Sequence, residues 1–252
     1  MITTSIRDAR YKKIYDSGAV GYDHDRFTRR PDAYAKRFKN ELIVEILDRH
    51  NLLAPATRIL DVPSGTGRVT HTLLKTNVGH ICAADISPEM LRVNEGTLTR
   101  QQRERVRFVE ANMKQLPVEA NSFDAAVMAS FFYLVPSPEY REYIRDVCRA
   151  LRPGGILIAE ISNALPAYNP KNLAYVLLHK HFRRQAVKSY VYCWQIRDLF
   201  FPLVPTELWG VEFPLIGKTY HAYRSLSKSL MGRNPWKLLS GKFTVVLQKN
   251  SI

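Results

Sequence analysis

The stretch Arg58-Ile59-Leu60-Asp61-Val62-Pro63-Ser64-Gly65-Thr66-Gly67-Arg68-Val69 decides how this chain folds. A short apolar run ends in a carboxylate, two glycines follow two residues apart, and a helix-like pattern begins. This is how a parallel strand hands the chain to a helix across a bound nucleotide-like ligand. Glycine lets backbone approach a ligand without a Cβ in the way, and the first helical turn presents unpaired N–H groups.

Downstream of this turn, strands and helices alternate. The pattern predicts a helix from Arg68 to Thr76 and a strand from His80 to Asp85 that ends in a second carboxylate. Ser87-Pro88 opens the next helix as N-cap and first helical residue. Val106 to Glu110 and Phe123 to Ala129 read as strands, and Pro138 to Ala150 as a helix stopped by Arg152-Pro153-Gly154-Gly155. Ile156 to Ile161 reads as a fifth strand. Such a rhythm implies an α/β fold with a doubly wound, mostly parallel sheet, which binds ligands beyond the carboxyl ends of its strands.

Upstream, Asp32 opens a helical stretch in which Tyr34, Phe38, Leu42, Ile43, Ile46 and Leu47 recur at three- and four-residue steps. The first thirty residues, rich in Tyr, Asp and Arg, lack clean periodicity. After Ile161 the pattern changes. Asn163 to Pro205 carries four prolines, the cations Lys180, Arg183, Arg184 and Lys188, and the aromatics Tyr168, Tyr175, Phe182, Tyr190, Tyr192 and Trp194. Tyr190 to Phe200 reads as helical, Leu208 to Phe213 and Phe243 to Leu247 as late strands, with a helix from Tyr220 to Met231 between them.

Composition sets the outer bounds. Hydrophobic residues make up 46% and aromatics 11% of 252 residues, as in a folded globular protein. Met1 to Lys13 lacks the apolar core of a signal peptide, and the longest apolar run, Ala125 to Val135, falls well short of the roughly 20 residues of a membrane span. The expectation is a soluble cytoplasmic protein. Cys82, Cys148 and Cys193 are odd in number and far apart, which fits reduced buried thiols and no metal site. The net charge of +14 is uneven: cations and acids number 12 and 8 in residues 1–60, 12 and 12 in 61–160, and 13 and 3 in 161–252. That concentration points to an anionic partner: a phosphorylated or carboxylated substrate, a lipid surface or nucleic acid.

The ligand can be narrowed further. A dinucleotide fingerprint requires a third glycine, where this chain has Thr70. Asp61 before the turn suits a cofactor with a cationic amine and repels a pyrophosphate. Asp85, 18 residues after Gly67, can accept from both hydroxyls of a ribose. A ligand with an amino acid at one end and a nucleoside at the other, S-adenosyl-L-methionine, meets both demands.

The blocks Ile59–Arg68, Ala84-Asp85-Ile86-Ser87-Pro88-Glu89-Met90-Leu91, Asn112-Met113-Lys114-Gln115-Leu116-Pro117 with Ser122-Phe123-Asp124, and Leu151-Arg152-Pro153-Gly154-Gly155 stand in order. Over roughly residues 55–162 the chain resembles class I S-adenosylmethionine-dependent methyltransferases, of the group that includes the ubiquinone/menaquinone-biosynthesis methyltransferases. The resemblance implies a Rossmann-like sheet of seven strands with an antiparallel edge strand and a helical lid. It makes residues 1–252 a single domain: an N-terminal helical cap at 1–54, a cofactor-binding core at 55–162, a basic aromatic lid insert at 163–205, and C-terminal strands and helix at 206–252. By matching position, Asp61, Gly65 and Gly67 would hold the methionine moiety and Asp85 the ribose. Ile86 would pack on the adenine, Asn112 and Met113 would meet its edge, and Ser130 would lie near the sulfonium. Asn112 stands where the family usually has Asp, yet its side-chain oxygen can still accept from the adenine amino group. Tyr22 and Arg26 are candidates for the cofactor carboxylate.

The expected activity is methyl transfer to an O or N nucleophile of a small organic acceptor, aromatic or lipophilic in body and open to an anionic group. A general base is needed only for a protonated nucleophile. His24, His179, His181, His221 and Tyr133 are candidates, and the sequence singles out none as catalytic. RNA as acceptor, and a non-catalytic scaffold with the same fold, are the alternative readings. The first is disfavoured by the absence of a dense Lys/Arg run, and DNA is not expected as a partner. A peripheral membrane contact through Tyr220 to Met231 is a subsidiary reading. Oligomeric state is not legible.

Overall fold

The computed structural model of the chain describes residues 6–22, 30–165, 189–212, 220–231, 238 and 240–250. A seven-stranded sheet is formed by β1 (Arg58–Asp61), β2 (His80–Asp85), β3 (Val106–Glu110), β4 (Phe123–Met128), β5 (Leu151–Ser162), β6 (Val204–Val211) and β7 (Lys242–Gln248). Their order is β3-β2-β1-β4-β5-β7-β6. β1 to β5 pair in parallel, and β7 runs antiparallel to both β5 and β6, which confines antiparallel pairing to one edge. The strand order turns back at β1, between β2 and β4. There the loops leaving neighbouring strands diverge and open a crevice at their carboxyl ends.

Alternate residues of each strand feed the two faces of the sheet. Leu60, Ala126 and Leu157 pack with Tyr140, Ile144 and Val147 of α5 (Tyr140–Ala150). Ile59, Ala125 and Ile156 pack on the other face with Phe38, Leu42, Ile43, Ile46 and Leu47 of α2 (Arg30–Arg49), and with Val69 and Leu73 of α3 (Arg68–Leu73). With both faces covered, the central strands are largely apolar, as a parallel sheet requires. α4 (Pro88–Gly96) begins as its sequence predicts: Ser87 Oγ accepts from the Met90 N–H at 3.2 Å, and Pro88 takes the first turn.

Several elements differ in detail from the sequence reading. Ile6–Gly18 forms a helix, α1, although it carries no apolar stripe. Its contacts are largely polar and lie over the ends of β2 and β3, so no helical period was there to find. α3 stops at Leu73: the Leu74 N–H still closes a helical bond to the Thr70 carbonyl, and the Lys75 and Thr76 N–H groups then tighten onto the Thr72 and Leu73 carbonyls three residues back. Tyr190 to Phe200 is not one helix: Val191 bridges Asn163 in an extended segment, and short helical turns follow from Cys193. β6 starts at Val204, inside the stretch assigned to the insert. α6 (Tyr220–Met231) falls where the sequence predicts a helix. Most of the insert, including Tyr168, Tyr175, Lys180, Phe182, Arg183, Arg184 and Lys188, lies outside the described residues. Cys82 and Cys148 are buried, Cys193 is half-buried, and all three are free thiols. Among the described residues no helix is long and apolar enough to cross a membrane.

Candidate active site

A pocket occupies the crevice beyond the carboxyl ends of β1, β2, β3 and β4. Its floor is the glycine turn, Pro63 to Thr66, and its roof is α1, which contributes Asp8, Tyr11 and Tyr15. The turn is fixed by backbone: the Ser64 N–H donates to the Ala84 carbonyl at 2.9 Å and the Gly67 N–H to the Ser64 carbonyl at 3.0 Å. Gly65 and Gly67 both have positive φ, +53° and +92°. A Cβ on Gly65 would meet nothing within 4 Å, so the turn leaves open space on that side. Among the described residues the buried Ser64 Oγ has no hydrogen-bond partner, leaving a polar atom in the pocket wall that a polar ligand would satisfy.

Two carboxylates flank the turn in different states. Asp85 accepts from the Gly65 N–H through Oδ2 (2.8 Å) and from the Ser87 N–H through Oδ1 (2.9 Å). Burial pushes its pKa up, and these backbone donors partly offset the rise. Asp61 is only 1% exposed and does not line the pocket. It accepts from the Thr70 hydroxyl at 2.6 Å, and Thr70 in turn accepts from buried Asn94 at 3.4 Å. Burial drives Asp61 up to about 7 despite the Thr70 hydrogen bonds and nearby Arg68. A carboxyl raised in the folded state costs stability as pH climbs from its unfolded value, 3.8, to about 7, and that cost persists above. Asp61→Asn, which keeps an acceptor for Thr70, should therefore flatten the stability profile between about pH 4 and about pH 7. Denaturant titrations across this range measure it; an unchanged slope in the variant would show that Asp61 does not carry the effect.

The far end of the pocket is cationic. Ser130, held at φ 57°, donates both its N–H and its hydroxyl to Glu160 Oε2 at 3.2 Å, and Arg68 donates to the Ser130 hydroxyl at 3.2 Å. Lys39 reaches the same Glu160 oxygen (3.2 Å) and also Glu212 (2.8 Å), which Lys242 shares at 2.9 Å. Three cations and two carboxylates are thus packed together, and Lys242 also lies 5.6 Å from the Tyr133 ring centroid. Burial opposes the charge on Lys242, and Lys39 adds to this, so its pKa falls. Lys39, Arg68, Lys242 and Tyr133 all line the pocket.

α1 is tied down at several points. Tyr11 donates to the Leu134 carbonyl at 2.7 Å, Lys12 pairs with Glu110, and the Ser87 hydroxyl donates to Asp16 at 2.5 Å. Asp8, 5% exposed, accepts from Asn112 Nδ2 at 3.2 Å and from the Tyr143 hydroxyl at 3.1 Å.

Of the residues singled out in the sequence, Gly65, Asp85, Ile86, Asn112, Met113, Ser130 and Tyr22 line this one pocket. Asp61 and Gly67 support the turn from behind it. Arg26, His24, His179 and His181 lie outside the described residues, and His221 is exposed on α6, away from the pocket. Asp8, Tyr11, Tyr15, Lys39, Glu160 and Lys242 were not singled out. For two of them a signal existed: Lys39 interrupts the apolar face of α2, and Glu160 interrupts the run Ile156 to Ile161. A charge inside an apolar period is either paired or functional.

Comparison with known proteins agrees with this geometry. Residues 59–155 match the family model described as a methyltransferase domain. The ubiquinone/menaquinone biosynthesis C-methyltransferase UbiE of Hahella chejuensis is 32% identical over 162 residues, covering 62% of this chain and 61% of that one. The demethylmenaquinone methyltransferase of Clavibacter sepedonicus is 39% identical over 106 residues, covering 42% and 41%. The chain therefore spans about two fifths to three fifths of these relatives' own lengths. Among solved structures, an S-adenosylmethionine-dependent methyltransferase from Methanosarcina mazei superposes with a TM-score of 0.57 at 20% identity, covering 81% of this chain and 97% of that one. The [4+2]-cyclase SpnF superposes with 0.58 at 16%, covering 84% and 81%. At such identities the likeness is one of fold.

Proposed function

Because the chain belongs to the class I S-adenosylmethionine-dependent methyltransferase family, with S-adenosyl-L-methionine as its cofactor, we propose that it methylates a small organic acceptor with an aromatic or lipophilic body and an acidic group. When bound, the cofactor supplies an electrophilic methyl group, and the protein's task is mainly to orient the nucleophile and exclude water. The observation that carries the reading is the polarity of the pocket. One end offers a glycine turn, Asp85 and the apolar walls Ile86 and Met113; the other offers Lys39, Arg68 and Lys242 beside Tyr133. The first end suits a nucleoside and the second an anion on a ring.

In this reading Asp85 holds the ribose hydroxyls with the lone pairs left by Gly65 and Ser87. Gly65 and the Ser64 hydroxyl face the methionine moiety, with Asp61 favouring its ammonium from behind. Tyr22 lines the same pocket and would meet the cofactor carboxylate. Ser130 marks the boundary between the two ends. Lys242 and Arg68 favour the ionised form of the acceptor's oxygen, and that ionisation raises electron density on the oxygen and on the ring carbons ortho and para to it. The Hahella chejuensis relative is a ubiquinone/menaquinone biosynthesis C-methyltransferase, and that likeness brings carbon in beside oxygen and nitrogen as the atom methylated.

The test uses cofactor labelled in its methyl group, offered with reduced hydroquinone and catechol probes and with a small-molecule extract. Label in an organic-soluble product supports the reading, and the carbon chemical shift of the new methyl distinguishes C from O or N. Recovery of label only in RNA would replace small-molecule methylation by the RNA reading. No cofactor binding by calorimetry at millimolar ligand would replace it by a scaffold role.

A further inference from the structure

We propose that Asp8 of α1 is the group that recognises the exocyclic amine of the cofactor's adenine, a task for which position 112, just beyond β3, holds an amide and no carboxylate. The inference rests on the reading of the pocket as the S-adenosylmethionine site. An adenine amino group requires a hydrogen-bond acceptor, and position 112 is where the sequence places one. In the folded chain that oxygen is engaged: Asn112 Oδ1 accepts from the Lys114 N–H at 3.0 Å, closing the turn after β3. The other half of the amide, Nδ2, donates to Asp8 Oδ2 at 3.2 Å.

Asp8 brings a carboxylate to the same place from a different element, 104 residues away in the chain. It lines the pocket together with Ile86, Met90, Met113 and Leu134, an apolar slot of the kind a purine fills. The Tyr143 hydroxyl donates to its Oδ1 at 3.1 Å, which fixes the carboxyl plane from the side opposite Asn112. Asn112 meets one of its oxygens and Tyr143 the other, and each carboxylate oxygen can accept more than one hydrogen bond. The arrangement also explains the amide at position 112. A second carboxylate there would stand hydrogen-bond distance from Asp8, and two like charges so close cannot both ionise freely. Asn112 donates to Asp8 instead, orienting it. The roof helix thus becomes a part of the adenine site and gives the pocket its choice of base.

Calorimetry with S-adenosylhomocysteine and S-inosylhomocysteine, which has a carbonyl in place of the amine, reads this choice directly. The protein should bind the adenosyl compound at least roughly tenfold more tightly, since a hydrogen bond to a charged group commonly confers roughly 10- to 100-fold. Asp8→Asn should lose that preference, because an amide serves amine and carbonyl equally, while thermal unfolding stays cooperative. Asp8→Ser, smaller and also uncharged, gives the same reading should the amide variant not fold. Exchanging the pair, Asp8→Asn with Asn112→Asp, keeps the carboxylate–amide contact and should restore preference for the adenosyl compound. Undiminished preference in the single variants would overturn the proposal while leaving the cofactor reading intact. Failure of the unaltered protein to bind either compound would overturn both.

Discussion

Replacing Lys39 by alanine is expected to destabilise the folded chain by about 3–5 kcal/mol, the range for removing one partner of a buried ion pair. Lys39 is 2% exposed, and its ammonium joins Glu160, 4% exposed, to Glu212. Burial disfavours its charge, but the two carboxylates more than offset this and raise its pKa. Burial likewise pushes Glu160 and Glu212 up, yet Lys39 and Lys242 hold Glu160 below the usual range and Glu212 at about 2. Without Lys39, Glu160 keeps the two Ser130 donors and loses the cation against it.

The sign with pH follows. A carboxylate depressed in the folded state contributes stability above its unfolded pKa, 4.5, and loses it as pH falls towards about 2. The difference between the protein and Lys39→Ala should therefore be largest near neutral pH and shrink in acid. Urea unfolding at both ends of this range measures it. A variant within about 1 kcal/mol of the parent at neutral pH would show that solvent or a rearranged Lys242 takes over the pairing, as it can at exposed pairs. Because Ser130 hangs on Glu160, the same variant should also disorder the boundary between the two ends of the pocket.

Gly67→Ala is the second large effect, with an expected loss of about 2–4 kcal/mol from two additive causes. Gly67 has φ +92°, where a side chain costs about 1–2 kcal/mol. A Cβ there would also stand 2.0 Å from Oδ1 and 2.3 Å from Cγ of Asn94, which is fully buried and cannot swing away. Asn94 donates to Thr70, and Thr70 to Asp61, so the collision propagates into the support of the turn. Gly65→Ala is the control. It shares the positive φ but meets nothing within 4 Å, so its stability loss should be confined to the backbone term, about 1–2 kcal/mol. Gly65 lines the pocket, so its added methyl should appear in cofactor affinity. Equal melting of the two variants would refute the steric account of Gly67.

The local code of the strand–turn–helix was legible because each part depends on near neighbours. β1 forms where the apolar run predicts a strand and stops at Asp61, one residue short of Val62, the two glycines take left-handed conformations, and Ser87-Pro88 caps α4. α2 buries the residues whose three- and four-residue spacing announced it. α1 was not announced, since its residues answer to the pocket and not to an apolar core. Asn112 shows the division most sharply: its position at the end of β3 was readable, and its orientation was not.

By itself, then, the sequence determined the repeating strand–helix unit, the glycine turn after β1 and the cap of α4, all through interactions within about one helical turn or one strand. Only the tertiary structure decided that Asp8 meets Asn112, that Lys39 bridges Glu160 and Glu212, and that Arg68 reaches Ser130. These partners lie 104, 121, 173 and 62 residues apart. Hydrogen bonds and ion pairs act over a few ångströms in space with no period along the chain, so the sheet had to close before any of them could be paired.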